Sequence, residues 1–369
     1  MLERSLSNAG WTRVAFGEVV RLSKARVTDP HAAGIERVVG LEHIDPGDLR
    51  IRRWSEVADG TTFTSLFKPG QVLFGKRRAY QRKVAVADFE GVCSGDIYVL
   101  EPANDRLMPD LLPFLCQTDA FFDHAVGTSA GSLSPRTNWT SLADFKFLLP
   151  PIQEQARLVE ALQACRVLRE RLQDAIQLSS ELREAAFASA VAQQSMVREA
   201  LTGLATFRSG KLIKISDLPK EQDDLHKVPV IGGNGLAAFT IEHLPEAPVP
   251  CIAIGRVGEY CGAVHFINQN CWISDNALFV KSHSDRLRPR YLELCLRYLH
   301  LNRHSTGGAQ PLMTQGIINR FKLPIPTLNQ QDAIIAADQA IEEATQELLD
   351  RLETADDVHR RLLVGCAFT

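Results

Sequence analysis

Short runs of apolar residues recur along the chain: EVVRL (18–22), QVLFGK (71–76), IYVLE (97–101), VPVIGG (228–233), PCIAIGR (250–256) and ALFVK (277–281). Gly, Pro, Asn and Asp separate them at turn positions, so they predict short β-strands. A helical patch follows in each half, LMPDLLPFLCQTDAFFDHAV (107–126) and RPRYLELCLRYLHLNRH (288–304). Each half therefore starts as an α/β domain. The period then becomes helical, with a spacing of three and four through Ala161, Cys165, Leu168, Leu172, Ala175, Ser179, Leu182 and Ala186. In the second half Ile334, Ala337, Ile341, Ala344, Leu348, Leu352, Ala355, His359 and Leu362 do the same, with one four-residue slip at Leu348 to Leu352. Seams kept up over several heptads predict two long helices, and an antiparallel pair is the simplest arrangement within one chain.

The two halves are one unit written twice. FKFLLPPIQEQARLV (145–159) returns 176 positions later as FKLPIPTLNQQDAII (321–335), proline over proline. GSLSPRTNW (131–139) lies over GGAQPLMTQ (307–315) at the same offset, which also places His124 over His300. FGKRRAY (74–80) lies over IGRVGEY (254–260) at an offset of 180, and GDIYVL (95–100) over SDNALFV (274–280) through Asp96 and Asp275. Ordered blocks at nearly constant offset are a tandem duplication with loop insertions. In each proline block the prolines stop the strand and keep the preceding residue out of helix, and polar residues meet the free N–H groups of the next helical turn. The expected organisation is a domain over 1–151, a helix over 152–202, a second domain over 203–327 and a second helix over 328–369.

Charge changes this picture only locally. The net charge is −3, yet residues 329–369 hold three basic against nine acidic residues, so much of the acidity sits there. Residues 50–83 carry nine Lys or Arg against two Asp or Glu, a stretch able to face phosphates. Arg52, Arg53 and Trp54 form a basic-aromatic group within it that either meets a nucleic-acid backbone or packs into the core. The eight cysteines form no CxxC pair, and the ten-residue spacing of Cys251, Cys261 and Cys271 is too wide for a structural zinc site, so buried reduced thiols and no metal are expected. No run reaches the roughly 18 apolar residues of a membrane helix, and MLERSLSNAGWTRV has no apolar centre, so the expected location is the cytoplasm.

At the joints PPIQEQ (150–155) and, more loosely, PTLNQQ (326–331), and in IGRVGEYCGAV (254–264) and WISDNALFV (272–280), the chain resembles the DNA sequence-specificity (S) subunit of type I restriction-modification systems. The resemblance covers essentially the whole chain. It implies two target recognition domains of α/β (α+β) fold in tandem duplication, each followed by a long helix, with the helices in an antiparallel coiled coil that separates the domains. Each domain would then read one half of a bipartite, gapped double-stranded DNA target. The resemblance further implies a non-catalytic subunit without cofactor of its own. Its partners would be two adenine-N6 methyltransferase (M) subunits using S-adenosylmethionine and restriction/translocase (R) subunits using ATP and Mg²⁺.

The residues chosen for DNA contact follow from chemistry. A glycine-hinged basic loop offers Lys76, Arg77, Arg78, Tyr80, Gln81, Arg82 and Lys83 to phosphates and purine edges. The aligned loop offers Arg256 and Tyr260, with Gly255 and Gly258 allowing close backbone approach, and Lys211, Asn234, Asn276 and Gln310 are further candidates. Asn276 could equally form a turn. Pro150, Pro151, Glu154 and Gln155 in the first joint, and Pro326, Gln330 and Gln331 in the second, are candidate partner-binding positions. The second joint lacks the first's Glu and has Thr327 in place of its second proline.

Enzyme readings find no residues. There is no phosphate-binding GxxxxGK[ST], no HExxH, no amino-methyltransferase Asn/Asp-Pro-Pro-Tyr/Phe stretch and no dinucleotide fingerprint. The remaining alternatives are a coiled-coil scaffold that binds only proteins, which leaves the paired loops unexplained, and a specificity module of another methylase-linked defence system.

Overall fold

The computed structural model describes residues 10–192, 197–307 and 311–366, with side chains to Val364. The chain divides into two compact units, one made of residues 1–174 and 349–369, the other of residues 175–348.

Five of the six apolar runs become central strands, covered on both faces, and EVVRL becomes the edge strand Val20–Leu22. In the first unit a four-stranded antiparallel sheet runs in the order Val20–Leu22, Ile97–Pro102, Val72–Gly75, Val84–Val86. Along Val72–Gly75, Val72 and Phe74 point into a core shared with the helix Asp119–Gly127, while Leu73 points into a core shared with a second sheet. That sheet runs Ser55–Glu56, Arg37–Val39, Gly91–Cys93, Ser65–Phe67, its central pair parallel.

The second unit repeats this plan. Its antiparallel sheet is ordered Ala205–Ser209, Ala277–His283, Cys251–Gly255, Val264–Ile267. Ile252 and Ile254 face one core, Cys251 and Ala253 another. A smaller sheet runs Gly235–Thr240, Val228–Gly232, Trp272–Ile273, again with a parallel pair. The strand before each proline joint also pairs antiparallel with the unit's first strand, Lys146–Leu149 with Thr12–Ala15 and Lys322–Pro324 with Arg198–Ala200.

Two points of the repeat alignment shift. Lys76 N–H donates to the carbonyl of Asp96 at 3.0 Å, and Arg256 N–H to that of Asn276 at 2.9 Å, so Asn276 rather than Asp275 is the partner of Asp96. The ring of His124 lies 5.4 Å from that of Phe145, and the ring of His304 4.9 Å from that of Phe321, so His304 and not His300 takes the place of His124.

The joints work through one buried amide each. Gln155 is 1% exposed; its Oε1 accepts from Met108 N–H at 2.8 Å, and its Nε2 donates to the carbonyls of Arg106 at 2.7 Å and Pro150 at 2.8 Å. Gln331, fully buried, accepts from Arg288 N–H at 2.7 Å and donates to the carbonyls of Arg286 at 2.7 Å and Pro326 at 3.0 Å. Each glutamine thus ties domain, joint and helix together, and its amide is used up inside the unit. The difference between the joints has a local cause. Gln330 Oε1 accepts from the N–H of Thr327 at 2.9 Å, half of a capping box. Pro151 has no N–H to offer, and Glu154 instead pairs with Arg157 at 2.7 Å.

The first long helix spans Ile152–Ala192 and the second Leu328–Cys366. They pair antiparallel inside each unit: Ser179 meets Thr345 and Arg183 meets Asp338 in the second, while Cys165 Sγ donates to the Ala355 carbonyl at 3.3 Å in the first. The seams lie beside the expected ones. On the first helix the packed positions are Leu158, Leu162, Cys165, Arg169, Leu172, Ile176, Ser179 and Arg183, and Leu168 and Leu182 face outward. On the second they are Ile334, Asp338, Ile341, Thr345, Leu348, Leu352, Ala355, His359 and Leu362, with Ala337 and Ala344 exposed. Spacings of four and three alternate along both helices, and the slip disappears. Polar residues stand in these seams because they have partners there. Arg169 pairs with Asp356, and Arg183 chelates Asp338 through two bonds of 2.5 and 2.6 Å.

The seven described cysteines are free and buried, and burial pushes the Cys93 thiol up to about 12. No helix among the described residues is long and apolar enough to cross a membrane.

Candidate nucleic-acid interface

One cluster of loops occurs in both units with the same backbone hydrogen bonds. In the first, besides the bond to Asp96, Thr137 N–H donates to the Lys76 carbonyl at 3.0 Å and Arg78 N–H to that of Pro135 at 2.7 Å. In the second, Met313 N–H donates to Arg256 at 2.8 Å and Gly258 N–H to Pro311 at 3.1 Å. The loop after the central strand, the turn before the strand beside it and the proline segment before the joint are thereby held together. Tyr80 and Tyr260 sit at the same place in this frame and are exposed, 56% and 45%.

The frame needs two left-handed residues per loop. Gly258 and Gly262 have φ of 76° and 88° in the second unit, where Arg78 and Arg82 have 53° and 55° in the first. A left-handed backbone costs a non-glycine residue about 1 to 2 kcal/mol. Arg82 recovers some of this: it donates to the Gln117 carbonyl at 3.0 Å, pairs with Asp119 at 2.6 Å and lies 4.6 Å from the Phe122 ring centre. Arg78 gains less, one bond to Ser134 Oγ at 3.3 Å, and its Nε–H is buried with no hydrogen-bond partner. Gly255 serves a different need, since a Cβ there would lie 2.2 Å from the Tyr260 carbonyl oxygen and 2.6 Å from that of Gly233.

The predicted basic residues divide by how far the fold consumes them. Lys83 Nζ donates to the Leu41 carbonyl at 2.6 Å, beneath the loop. Arg77 reaches Asp96 at 3.3 Å and Ser134 at 3.0 Å, and its Nε–H is buried without a partner. Lys76 lies over the ring of Tyr98, 4.7 Å from its centre. Gln81, half-buried, gives its N–H to the Arg78 carbonyl at 2.8 Å. The +7 stretch is largely neutralised upstream: Arg50 pairs with Glu170, Arg52 with Asp48 and Arg53 with Asp45 at 3.2, 2.6 and 2.6 Å. Trp54 packs on Phe89 with Arg37 over its ring at 4.3 Å.

In the second unit Asn276 and the hairpin residue Asn234 are exposed beside Arg256 and Tyr260. Arg256 Nη1 reaches the Asp275 carbonyl at 3.5 Å. Lys211 bridges Ser274 at the edge of this cluster, but its ammonium is paired with Glu246 at 3.0 Å. Gln310 lies outside the described residues. Arg136 was not among the sequence candidates; its Nε donates to Asp96 at 2.8 Å and, ahead of Arg77, it holds that carboxyl below its usual range. Its signal was its place next to the repeated proline. Among the described residues no group of three or more His, Cys, Asp or Glu could hold a metal ion.

Residues 199–354 match the family described as type I restriction modification DNA specificity domain. That stretch, less than half of the chain, resembles the type I specificity domain. Two relatives from Escherichia coli are the specificity subunits of the type I restriction enzymes EcoDI, 29% identical over 126 residues, and EcoprrI, 24% identical over 139 residues. These matches cover 32% and 38% of the chain, and the chain spans 27% and 34% of the relatives' lengths. The fold is that of the type I S subunit from M. genitalium, with a TM-score of 0.65 at 14% identity over 100% of this chain and 98% of that one. A chain from a study of complex assembly in the type I R-M system aligns with a TM-score of 0.59 at 18% identity over 97% of each.

Proposed function

We propose that this chain is the non-catalytic DNA-recognition subunit of a type I restriction-modification complex. The reading rests on one observation above all, the loop cluster built twice on one backbone frame, each time presenting a cation (Lys76, Arg256) and an exposed tyrosine (Tyr80, Tyr260). Two equivalent clusters suit a bipartite target, one half read by each unit, with the paired long helices setting the unread gap. A helix of 41 residues rises about 60 Å, enough to measure such a gap. Phosphate contacts would fix the register and side chains at base edges the sequence.

Chemistry belongs to partners in this reading. Two methyltransferase subunits would bring S-adenosylmethionine, and restriction/translocase subunits ATP and Mg²⁺. At the joints Pro151 and the half-buried Glu154 and Gln330 are open to such partners, whereas Pro150, Pro326, Gln155 and Gln331 are buried. A near-neutral chain also fits DNA affinity shared with partner subunits.

The test is to co-express the chain with its methyltransferase in a methylation-free host and map N6-methyladenine across the genome. A gapped two-part motif is expected, and replacing residues 10–149 with those of another specificity subunit should change one half only. A soluble complex that leaves no methylation, or a chain that methylates DNA unaided, would overturn the reading.

A further inference from the structure

Because the two loop clusters share a backbone frame, each position has a counterpart, and the pairs fall into two classes. At two positions the chemistry is kept: a cation at Lys76 and Arg256, and an exposed tyrosine at Tyr80 and Tyr260. At the neighbouring positions it is exchanged. Arg77 and Arg78 correspond to Val257 and Gly258, and Arg136 corresponds to Leu312, its equivalent in the bridges Arg77 to Arg136 and Val257 to Leu312. Asp96, gripped by Arg77 and Arg136, gives way to Asn276. A charged lattice in one unit is thus a neutral surface in the other, on the same frame.

Groups that meet the repeating part of DNA, phosphate and sugar, do the same work in both half-sites, while groups that meet base edges must differ if the halves differ. Resting on the proposed DNA-reading function, we propose that Lys76, Arg256, Tyr80 and Tyr260 are the positioning contacts, and that 77, 78 and 136, with 257, 258 and 312, determine which bases each unit accepts. Two features favour Arg78. It holds a left-handed backbone that its counterpart meets with glycine, and its Nε–H is buried and unpaired. The lattice of the first unit presents arginines, the side chain suited to guanine O6 and N7. The second unit, with one arginine beside valine, glycine and leucine, suits apolar contact such as a thymine methyl.

The experiment uses the full chain with its methyltransferase partner and a library of random-sequence double-stranded DNA, selected by retention and sequenced. The wild-type complex defines the two half-sites. Arg78→Gly installs the residue its counterpart already has and relieves the backbone; it should relax or change base preference at one or two positions of one half and leave the other half alone. Gly258→Arg, at a site where an added Cβ meets nothing within 4 Å, should alter the other half only. Lys76→Ala and Arg256→Ala should keep both halves, lower retention several-fold and make the salt dependence shallower by about one counterion. An unchanged motif with Arg78→Gly and Gly258→Arg, or a changed base preference with Lys76→Ala, overturns the assignment. A wild-type complex that enriches no sequence overturns the DNA-reading function itself, a different result.

Discussion

Replacing Gln155 with alanine strands three backbone groups around a buried amide at once: the N–H of Met108 and the carbonyls of Arg106 and Pro150, the last of them buried. Each buried polar group left unpaired costs about 1 to 3 kcal/mol. Water entering the space left by the amide would recover part of this, so a loss of about 3 to 5 kcal/mol is expected. That is a large share of the 5 to 15 kcal/mol by which a typical domain is stable. Urea unfolding of the full chain, followed by circular dichroism, measures it as a fall in midpoint. Gln331→Ala should cost about the same, since it strands the corresponding groups of Arg288, Arg286 and Pro326. The Glu variant separates hydrogen bonding from packing. Gln155→Glu keeps volume and the acceptor for Met108, but turns a carboxylate oxygen toward two carbonyls, which favours the protonated acid. Its folded pKa is then raised, so its stability should recover as pH falls from 8 toward 5, a trend Gln155→Ala lacks. A loss below 1 kcal/mol for both alanine variants, or no pH trend for Gln155→Glu, would refute the reasoning.

Asp338 is nearly buried against Arg183, so Asp338→Ala should cost about 3 to 5 kcal/mol in chemical denaturation, while Arg183→Met with Asp338→Leu should cost far less. His359, buried beside Arg169, has its pKa lowered to about 4, by burial first and that charge second. Its folded value lies below the unfolded 6.5, so the unfolded chain binds the extra proton; the stability is present above pH 6.5 and falls by about 3 kcal/mol by pH 4. His359→Leu should remove that part of the acid-side slope in unfolding titrations. Tyr80→Ala and Tyr260→Ala should leave the melting midpoint almost unchanged, the side chains being exposed, and lower DNA retention about tenfold, roughly 1.4 kcal/mol. Retention equal to wild type would remove them from the interface.

What was legible in the sequence follows from which physical terms are local. The runs around Val72–Gly75 and Cys251–Gly255 read as strands because central strands covered on both faces need apolar residues throughout, and the glycines and prolines around them mark turns. The duplication was legible because one frame demands the same special residues twice, Gly75 and Gly255, Pro135 and Pro311, Gln155 and Gln331. The helix seams were missed by one position for a reason that sequence hides. Arg169, Arg183, Asp338 and Thr345 are polar, but each finds its partner on the other helix, some 150 residues or more away, and so they displace Leu168, Leu182, Ala337 and Ala344 outward. The same long-range pairing limits charge counting in the candidate site. Nine basic residues in 50–83 look like one phosphate-facing patch, yet Asp45, Asp48, Asp119 and Glu170 neutralise several of them, and Lys83 is spent on a carbonyl below the loop. The arginines proposed to read bases are those the fold leaves incompletely satisfied. Arg78 is the sharpest case, because arginine on a left-handed backbone, where the repeat has glycine, is a cost that folding alone gives no reason to bear.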